Sequence, residues 1–408
     1  YLSILALNAS PLPVLAGYRF PGVFNQGFLY TIAGYDIYAG EVALSVFFII
    51  LFGALNYFGA KSVGNMQLTM VLIMCAAVAI SLIGVVGTGH FHVENLLPAY
   101  GEGKSFLAGF VSILALAPFL YVGFDCIPQA AEEYNFPPQK AKILISSALF
   151  AGAVTYAIMA LVTDVVMPWT DMIQLTTPTG APIKWHTGAM LDMAMGTAGV
   201  AFVVIAVCMG IFTGLNGFFM TSSRLIFCMA RAKMLPKVFA KIHPKYNTPG
   251  TCIIFTTLVC VICPFFGREV LNWVVDMCSV GTAFGYFFTC AGAYILIKQY
   301  DVPDDVNRIS KTTAMAGCLI SIAILGLLII PGSPAFMSVQ SFIALGIWVF
   351  LGFSFFAYSR RNFKNVSKRE MDYLILGNVQ VRMGLRKNRK QEDRVVGHLV
   401  ECRNHGSH

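Results

Sequence analysis

The chain has 408 residues, of which 57% are hydrophobic and 12% charged, with a formal net charge of +8 and a mean hydropathy of +0.70. A soluble globular domain carries about 25% charged residues. Half that share, with apolar runs near twenty residues, excludes a water-soluble domain and indicates a polytopic membrane protein. Of the eleven cysteines, all but Cys402 lie in or beside apolar segments, where a thiol behaves as a small hydrophobe rather than as half of a disulfide scaffold.

Ten spans are predicted in chain order, each long enough or nearly so to cross about 30 Å of hydrocarbon as a helix. The first, 1–17, is short, carries Pro11 and Pro13, and begins with Tyr1 rather than Met. No basic segment precedes an apolar core there, so no secretory signal is visible, and the expectation is a chain that begins partway through a helix. Spans at 41–58 and 66–88 follow. After them comes "HFHVE", with His90, His92 and Glu94 at a spacing that suits a metal, although a lone HxH in a loop is weak evidence for one. The span 106–127 is interrupted, as argued below. Spans 143–168, 197–229 and 251–267 follow, the last holding Cys260 and Cys263 as a CxxC, which inside an apolar stretch reads as core packing rather than redox chemistry. The final spans are 270–298, 313–332 and 336–358. Residues 362–408 are polar, hold ten Lys or Arg against five Asp or Glu, and read as a basic tail with Cys402, His405 and His408 at its extremity.

Charge gives the orientation. With loops alternating and the tail inside, the inner segments hold 24 of the 28 Lys and Arg, and only Arg19, Lys104, Lys184 and Arg268 fall outside. That is the asymmetry of cytoplasmic loops. The net charge therefore speaks of topology; no nucleic-acid partner is called for, and the bilayer is the partner expected.

The stretch "FLYVGFDCIPQAAEE", Phe119 to Glu133, spoils an apolar helix with a glycine, a carboxylate and a proline within six positions. In lipid every backbone polar group needs a partner, so a break is costly unless it lines a cavity or is covered by protein. A carboxylate at that depth is costly too. One cause explains both: a discontinuous helix whose freed backbone faces a substrate. A Gly/Pro kink with Asp125 paired to a neighbouring helix is the alternative.

"GIFTGLNGFFMTSSRLIFCMARAKMLPKVFAKIHPKYNTPG", Gly210 to Gly250, resembles the eighth helix and following loop of the amino acid–polyamine–organocation (APC) permeases. "FLYVGFDCIPQAAEE" resembles the broken sixth helix of that family. "VVDMCSVGTAFGYFFTCAGAYIL" (274–296) resembles its tenth, and "LFGALNYFGAKSVGNMQ" (51–67) its fourth helix and the inner loop after it. The resemblance implies an all-α membrane protein with a LeuT-like 5+5 inverted-repeat transporter fold. In this register the chain is N-terminally truncated, with helices one and two absent and about ten transmembrane helices present. Residues 1–361 would form the permease domain, partial helix 3 through helix 12, and 362–408 a cytosolic tail.

By the same resemblance the broken helix binds the common backbone of an amino acid. Its carbonyls would take the ammonium group beside Gly123, with Phe119 where the family has an aromatic gate, Val122 by the side-chain pocket and Phe124 flanking them. Phe119 reads equally well as ordinary packing. Asp125 either takes up a proton or braces the break through hydrogen bonds. H+ and Na+ are both candidate coupling ions. The family's coupling lysine on helix five is matched here by Met74, which weakens that mechanism. Thr213 and the Ser222–Ser223 hydroxyls are candidate ion ligands, although helix hydroxyls often bond back to their own carbonyls. Glu132, Glu133 and the run Lys140 to Lys142 either pair at the inner mouth or form a solvated loop. No phosphate-cradling glycine motif, nucleophile elbow or HExxH occurs, and no cofactor is implied. The expected function is secondary active transport of amino acids or related amines across the plasma membrane, with the C-terminus cytoplasmic. A non-transporting sensor on the same fold is the alternative, against which the short tail with no recognisable domain argues. An enzyme would need a polar cluster at membrane depth that the spans lack.

Overall fold

A computed structural model of the chain describes residues 1–363 except 21, 25, 33–34, 102–104, 130–139, 177–182, 184, 300–303 and 334. Glu132, Glu133, Cys402, His405, His408 and nearly all of the basic tail lie outside the described residues.

The described residues are helical and looped apart from one hairpin. α1 (Leu2–Ala9) and α2 (Pro11–Arg19) share the first apolar span. Pro11 opens α2 at its first position, where its missing N–H is no loss. β1 (Phe28–Ile32) and β2 (Tyr35–Tyr38) pair antiparallel, Phe28 opposite Tyr38 and Ile32 opposite Tyr35. This hairpin was not anticipated. Then come α3 (Ala39–Phe58), α4 (Ala60–Gly87), α5 (Phe106–Leu120), the single-turn α6 (Cys126–Gln129), α7 (Lys140–Asp164) and the short α8 (Trp169–Met172). α9 (His186–Met195) is also new to the structure. It ends at Gly196, whose φ of 65° turns the chain directly into α10 (Thr197–Arg231). α11 (Gly250–Ile262), α12 (Gly267–Gln299), α13 (Asp304–Ile329) and α14 (Val339–Phe363) complete the chain.

Among the described residues seven helices are long and apolar enough to cross a membrane: α3, α4, α7, α10, α12, α13 and α14. Three further apolar segments, Leu2–Tyr18, Phe106–Leu120 and Gly250–Phe266, are shorter. Together they match the ten spans in order. Large apolar side chains such as Phe150 (72% exposed) and Phe350 (71%) stand on outer faces, as a protein dissolved in hydrocarbon requires.

α10 is the hub, packing on α1, α3, α4, α9 and α11. Leu5, Ile49, Phe52, Leu215, Phe219 and Cys260 form the core between α1, α3, α10 and α11. Gly53 permits close packing of α3 on α11, since a Cβ there would lie 2.6 Å from the Thr257 hydroxyl. A separate cluster joins α5, α12 and α13 through Ala115, Val280, Ala283, Ile324 and Leu328.

The two ends of the bundle are distinguishable. At one, the segment after α4 docks on the segment after α7. His92 N–H donates to Val165 O (3.2 Å), Asn95 Nδ2 to Val165 O (2.9 Å) and Trp169 Nε1 to Pro98 O (2.6 Å). At the other, the Thr248 hydroxyl donates to Tyr57 O (2.9 Å) at the end of α3, and the Ser359 hydroxyl near the end of α14 bonds Met234 O.

Candidate functional site

The predicted interruption is present. α5 stops at Leu120, residues 121–125 form turns, and α6 begins at Cys126. Pro118 lies in the last turn of α5, and a proline ring weakens a helix by removing one backbone donor. Gly123 has φ of 133°, a backbone that L side chains avoid. A Cβ at Gly123 would meet nothing within 4 Å. Glycine is therefore required there by conformation, not by crowding.

The backbone freed by the break is re-satisfied piece by piece. Gly123 N–H donates to Asp125 Oδ1 (2.9 Å). The Tyr156 hydroxyl, reaching over from α7, donates to Leu120 O (2.7 Å). Cys126 N–H donates to Gly123 O (3.0 Å) and Ile127 N–H to Phe124 O (3.1 Å). The second Asp125 oxygen accepts from the Tyr1 hydroxyl, which also accepts from Gln129 Nε2 (2.8 Å). The contacts of Asp125 are thus those of a brace. Among the described residues no hydrogen bond reaches the carbonyls of Tyr121 and Val122.

Beside the break lies a cavity of about 800 Å³. Phe119, Val122 and Gly123 border it. Phe119 and Val122 also pack on the main core, so packing and cavity wall coexist in these two residues. Phe124 and Asp125 are not on the cavity wall. The Phe124 ring turns to Tyr286 of α12, with centroids 5.7 Å apart.

The opposite wall is a chain of amides that sequence reasoning missed. Asn56 Nδ2 on α3 donates to Asn216 Oδ1 on α10 (2.9 Å). Asn216 Nδ2 donates to Gln67 Oε1 on α4 (2.7 Å), and Gln67 Nε2 donates to Thr213 O (3.2 Å). Their signal in the sequence was the presence of amides inside apolar spans, where such residues are expensive and face the interior. No carboxylate borders the cavity among the described residues; Arg224 is the charged side chain on its wall.

Thr213 borders the cavity, but its hydroxyl donates to Gly210 O (2.8 Å) in its own helix. Ser222 and Ser223 likewise bond Phe218 O (2.6 Å) and Met220 O (3.0 Å). Met74 faces Gly210 of α10. Lys140 and Lys142 are exposed at the start of α7. His92 Nδ1 lies 3.6 Å from Glu94 Oε1, both side chains open to solvent, and no His/Cys/Asp/Glu group among the described residues is arranged to hold a metal. Cys260 is buried, and its thiol contacts Leu2 O at 3.4 Å.

A family model described as "Amino acid permease" matches residues 9–361. The methylthioribose transporter of Bacillus subtilis (strain 168) is 25% identical over 77% of this chain and 63% of its own length. The branched-chain amino acid permease BcaP of Lactococcus lactis subsp. cremoris (strain MG1363) is 24% identical over 88% of this chain and 73% of its own. The vacuolar cationic amino acid transporter 8 of Arabidopsis thaliana is 26% identical over 58% of this chain, and the chain spans only 38% of its length. All are permeases or transporters, not enzymes. Since the family match covers most of the sequence, the chain belongs to the amino acid permease family.

Proposed function

We propose that this chain is the transport body of a secondary active transporter that moves amino acids across a membrane by alternating access, driven by an ion or by exchange. The observation that carries the reading is the break at Tyr121–Asp125, with Gly123 on the wall of the cavity. The C-terminal end of α5 presents carbonyl dipoles, and such an end suits an ammonium group. The carbonyl of Val122, which borders the cavity and accepts no hydrogen bond among the described residues, is the acceptor in this reading. Phe119 closes over the bound molecule and Val122 borders its side chain.

The substrate side chain in this reading is uncharged. A cationic side chain would need a carboxylate counter-charge, and the amide wall of Asn56, Asn216 and Gln67 supplies hydrogen bonds without one. Of the substrates named for the relatives, branched-chain amino acids suit this cavity better than cationic ones. Coupling runs by H+ or Na+ or not at all. The contacts of Asp125 support a bracing role, and those of Thr213 do not support an ion ligand. The plasma membrane with a cytoplasmic C-terminus is the location we propose, on the strength of the charge asymmetry.

The test is uptake of labelled leucine into proteoliposomes bearing the full-length protein, with unlabelled competitors at equal concentration. Saturable uptake suppressed by isoleucine and glutamine but not by arginine is expected. Equal suppression by arginine would overturn the neutral class, and absence of saturable leucine uptake would overturn the branched-chain assignment.

A further inference from the structure

The loop between α10 and α11 borders the cavity through Asn247, Thr248 and Pro249. Its shape is held by one imidazole. His243 Nδ1 accepts from the backbone N–H groups of Lys245 (3.3 Å) and Tyr246 (3.4 Å). His243 N–H donates to Thr248 O (2.8 Å), and its carbonyl accepts from Asn247 N–H (2.9 Å). The ring stacks on Tyr246, centroids 4.8 Å apart, and meets Tyr57 of α3 edge-on at 5.5 Å. Tyr57 in turn takes the Thr248 hydroxyl on its carbonyl. Asn247 sits at φ of 53°, in the left-handed region that Asn tolerates better than most residues.

We infer that His243 is a positioning residue whose unprotonated Nδ1 latches this loop at the cavity mouth, so that acidification on the loop's side releases it. Because Nδ1 accepts, the neutral ring carries its proton on Nε2. Protonating Nδ1 turns an acceptor of two N–H groups into a third donor facing them. Among the described residues the ionisable neighbours do not offset that change. α3 presents Tyr57, and the loop itself supplies Tyr246, Lys241 and Lys245, the last 5.3 Å from the Tyr246 ring centroid. None of these is an anion at neutral pH, and no ion pair within the described residues involves His243. The latch is therefore closed while Nδ1 is unprotonated and open once Nδ1 takes a proton.

The test needs no substrate. Backbone hydrogen exchange across 241–249 is measured on the full-length protein in nanodiscs at pH 7.5 and 5.5, corrected for intrinsic rates, in wild type, His243→Asn and His243→Leu. An Asn side chain offers Oδ1 as a non-titrating acceptor in much the same place. Protection at Lys245 and Tyr246 is expected to fall at least about fivefold on acidification in wild type, to persist at both pH values in His243→Asn, and to be low at both in His243→Leu. Equal protection of wild type at the two pH values, or full protection in His243→Leu, would overturn the latch. The consequence for uptake rests on the transport reading above: leucine uptake should decline over the same pH range in wild type and not in His243→Asn. Retained exchange behaviour with no uptake in any variant would sink the transport reading and leave the latch standing.

Discussion

Gly123 combines two demands that a substitution can separate. Its φ of 133° strains any L residue by roughly 1–3 kcal/mol, while the space beside it is open. Gly123→Ala tests the strain alone; Gly123→Leu adds a side chain that fills the wall where substrate would meet backbone. Leucine uptake is expected to fall several-fold in the alanine variant and below detection in the leucine variant, both at wild-type membrane abundance. Wild-type uptake by Gly123→Leu would remove this position from the site. Asp125 is the other decisive residue. Asn at 125 keeps an oxygen for the Gly123 N–H and loses the charge. Ala loses both and leaves the Gly123 N–H and the Tyr1 hydroxyl without this acceptor, at a cost of about 1–3 kcal/mol for each donor left unpaired. If bracing dominates, uptake falls in the order wild type, Asp125→Asn, Asp125→Ala, with Asp164→Asn at the end of α7 milder than either. Equal loss in Asp125→Asn and Asp125→Ala would mean that the charge itself is what matters. The cavity-wall positions of Phe119, Val122 and Gly123 were legible, that of Gly123 from the break in an apolar helix and those of Phe119 and Val122 only through the family resemblance. Phe124 was not, because which way a side chain turns around a break depends on the neighbour it meets, here Tyr286.

At the level of elements, the interruption was readable since Gly, Asp and Pro within six residues have no place in a continuous membrane helix. What bridges the interruption was not. Tyr156 lies 36 residues from Leu120, and nothing local marks it as the donor that holds the end of α5. Tyr156→Phe removes only that hydroxyl, so the hydrogen-bond contribution of about 0.5–1.5 kcal/mol is lost. A drop of a few degrees in the thermal unfolding midpoint, with lower uptake, is expected; an unchanged midpoint would show that α5 does not need this bond. The hairpin β1–β2 was missed for a different reason. "FLYTI" and "YDIY" are separated by Ala33 and Gly34, a two-residue linker ending in glycine between aromatic and β-branched runs, which is a hairpin signal. A reading tuned to spans of about twenty apolar residues passes over strands of five and four. The amide wall was missed because its three members sit on three helices, and only packing brings Asn56, Gln67 and Asn216 into one chain of hydrogen bonds.

For the whole molecule, the question is which end of the bundle faces which compartment, and two independent lines bear on it. The first is the count of 24 Lys and Arg against four, in which the segments after α3 and α10 and the tail share the basic side. The second is contact. Thr248 bonds the end of α3 and Ser359 bonds Met234, so the loop 232–249, the α3–α4 junction and the exit of the tail lie together. Pro98 and Val165, by contrast, share the other end with Asn95 and Trp169. Packing therefore groups the segments as charge does, although packing carries no information about compartments. A basic segment resists transfer across the membrane, and on that ground the grouped basic end is the one we propose as cytoplasmic. Epitope tags placed in the loop near Gly101 and, separately, near Lys237 decide the matter in cells expressing the full-length protein. The tag near Gly101 is expected to bind antibody on intact cells, and the tag near Lys237, like one appended to the tail, only after permeabilisation. Both inner tags reacting on intact cells would invert the orientation while leaving the fold untouched. One inner tag reacting without the other would contradict the contacts themselves, because the Ser359–Met234 bond requires loop and tail to emerge on the same side.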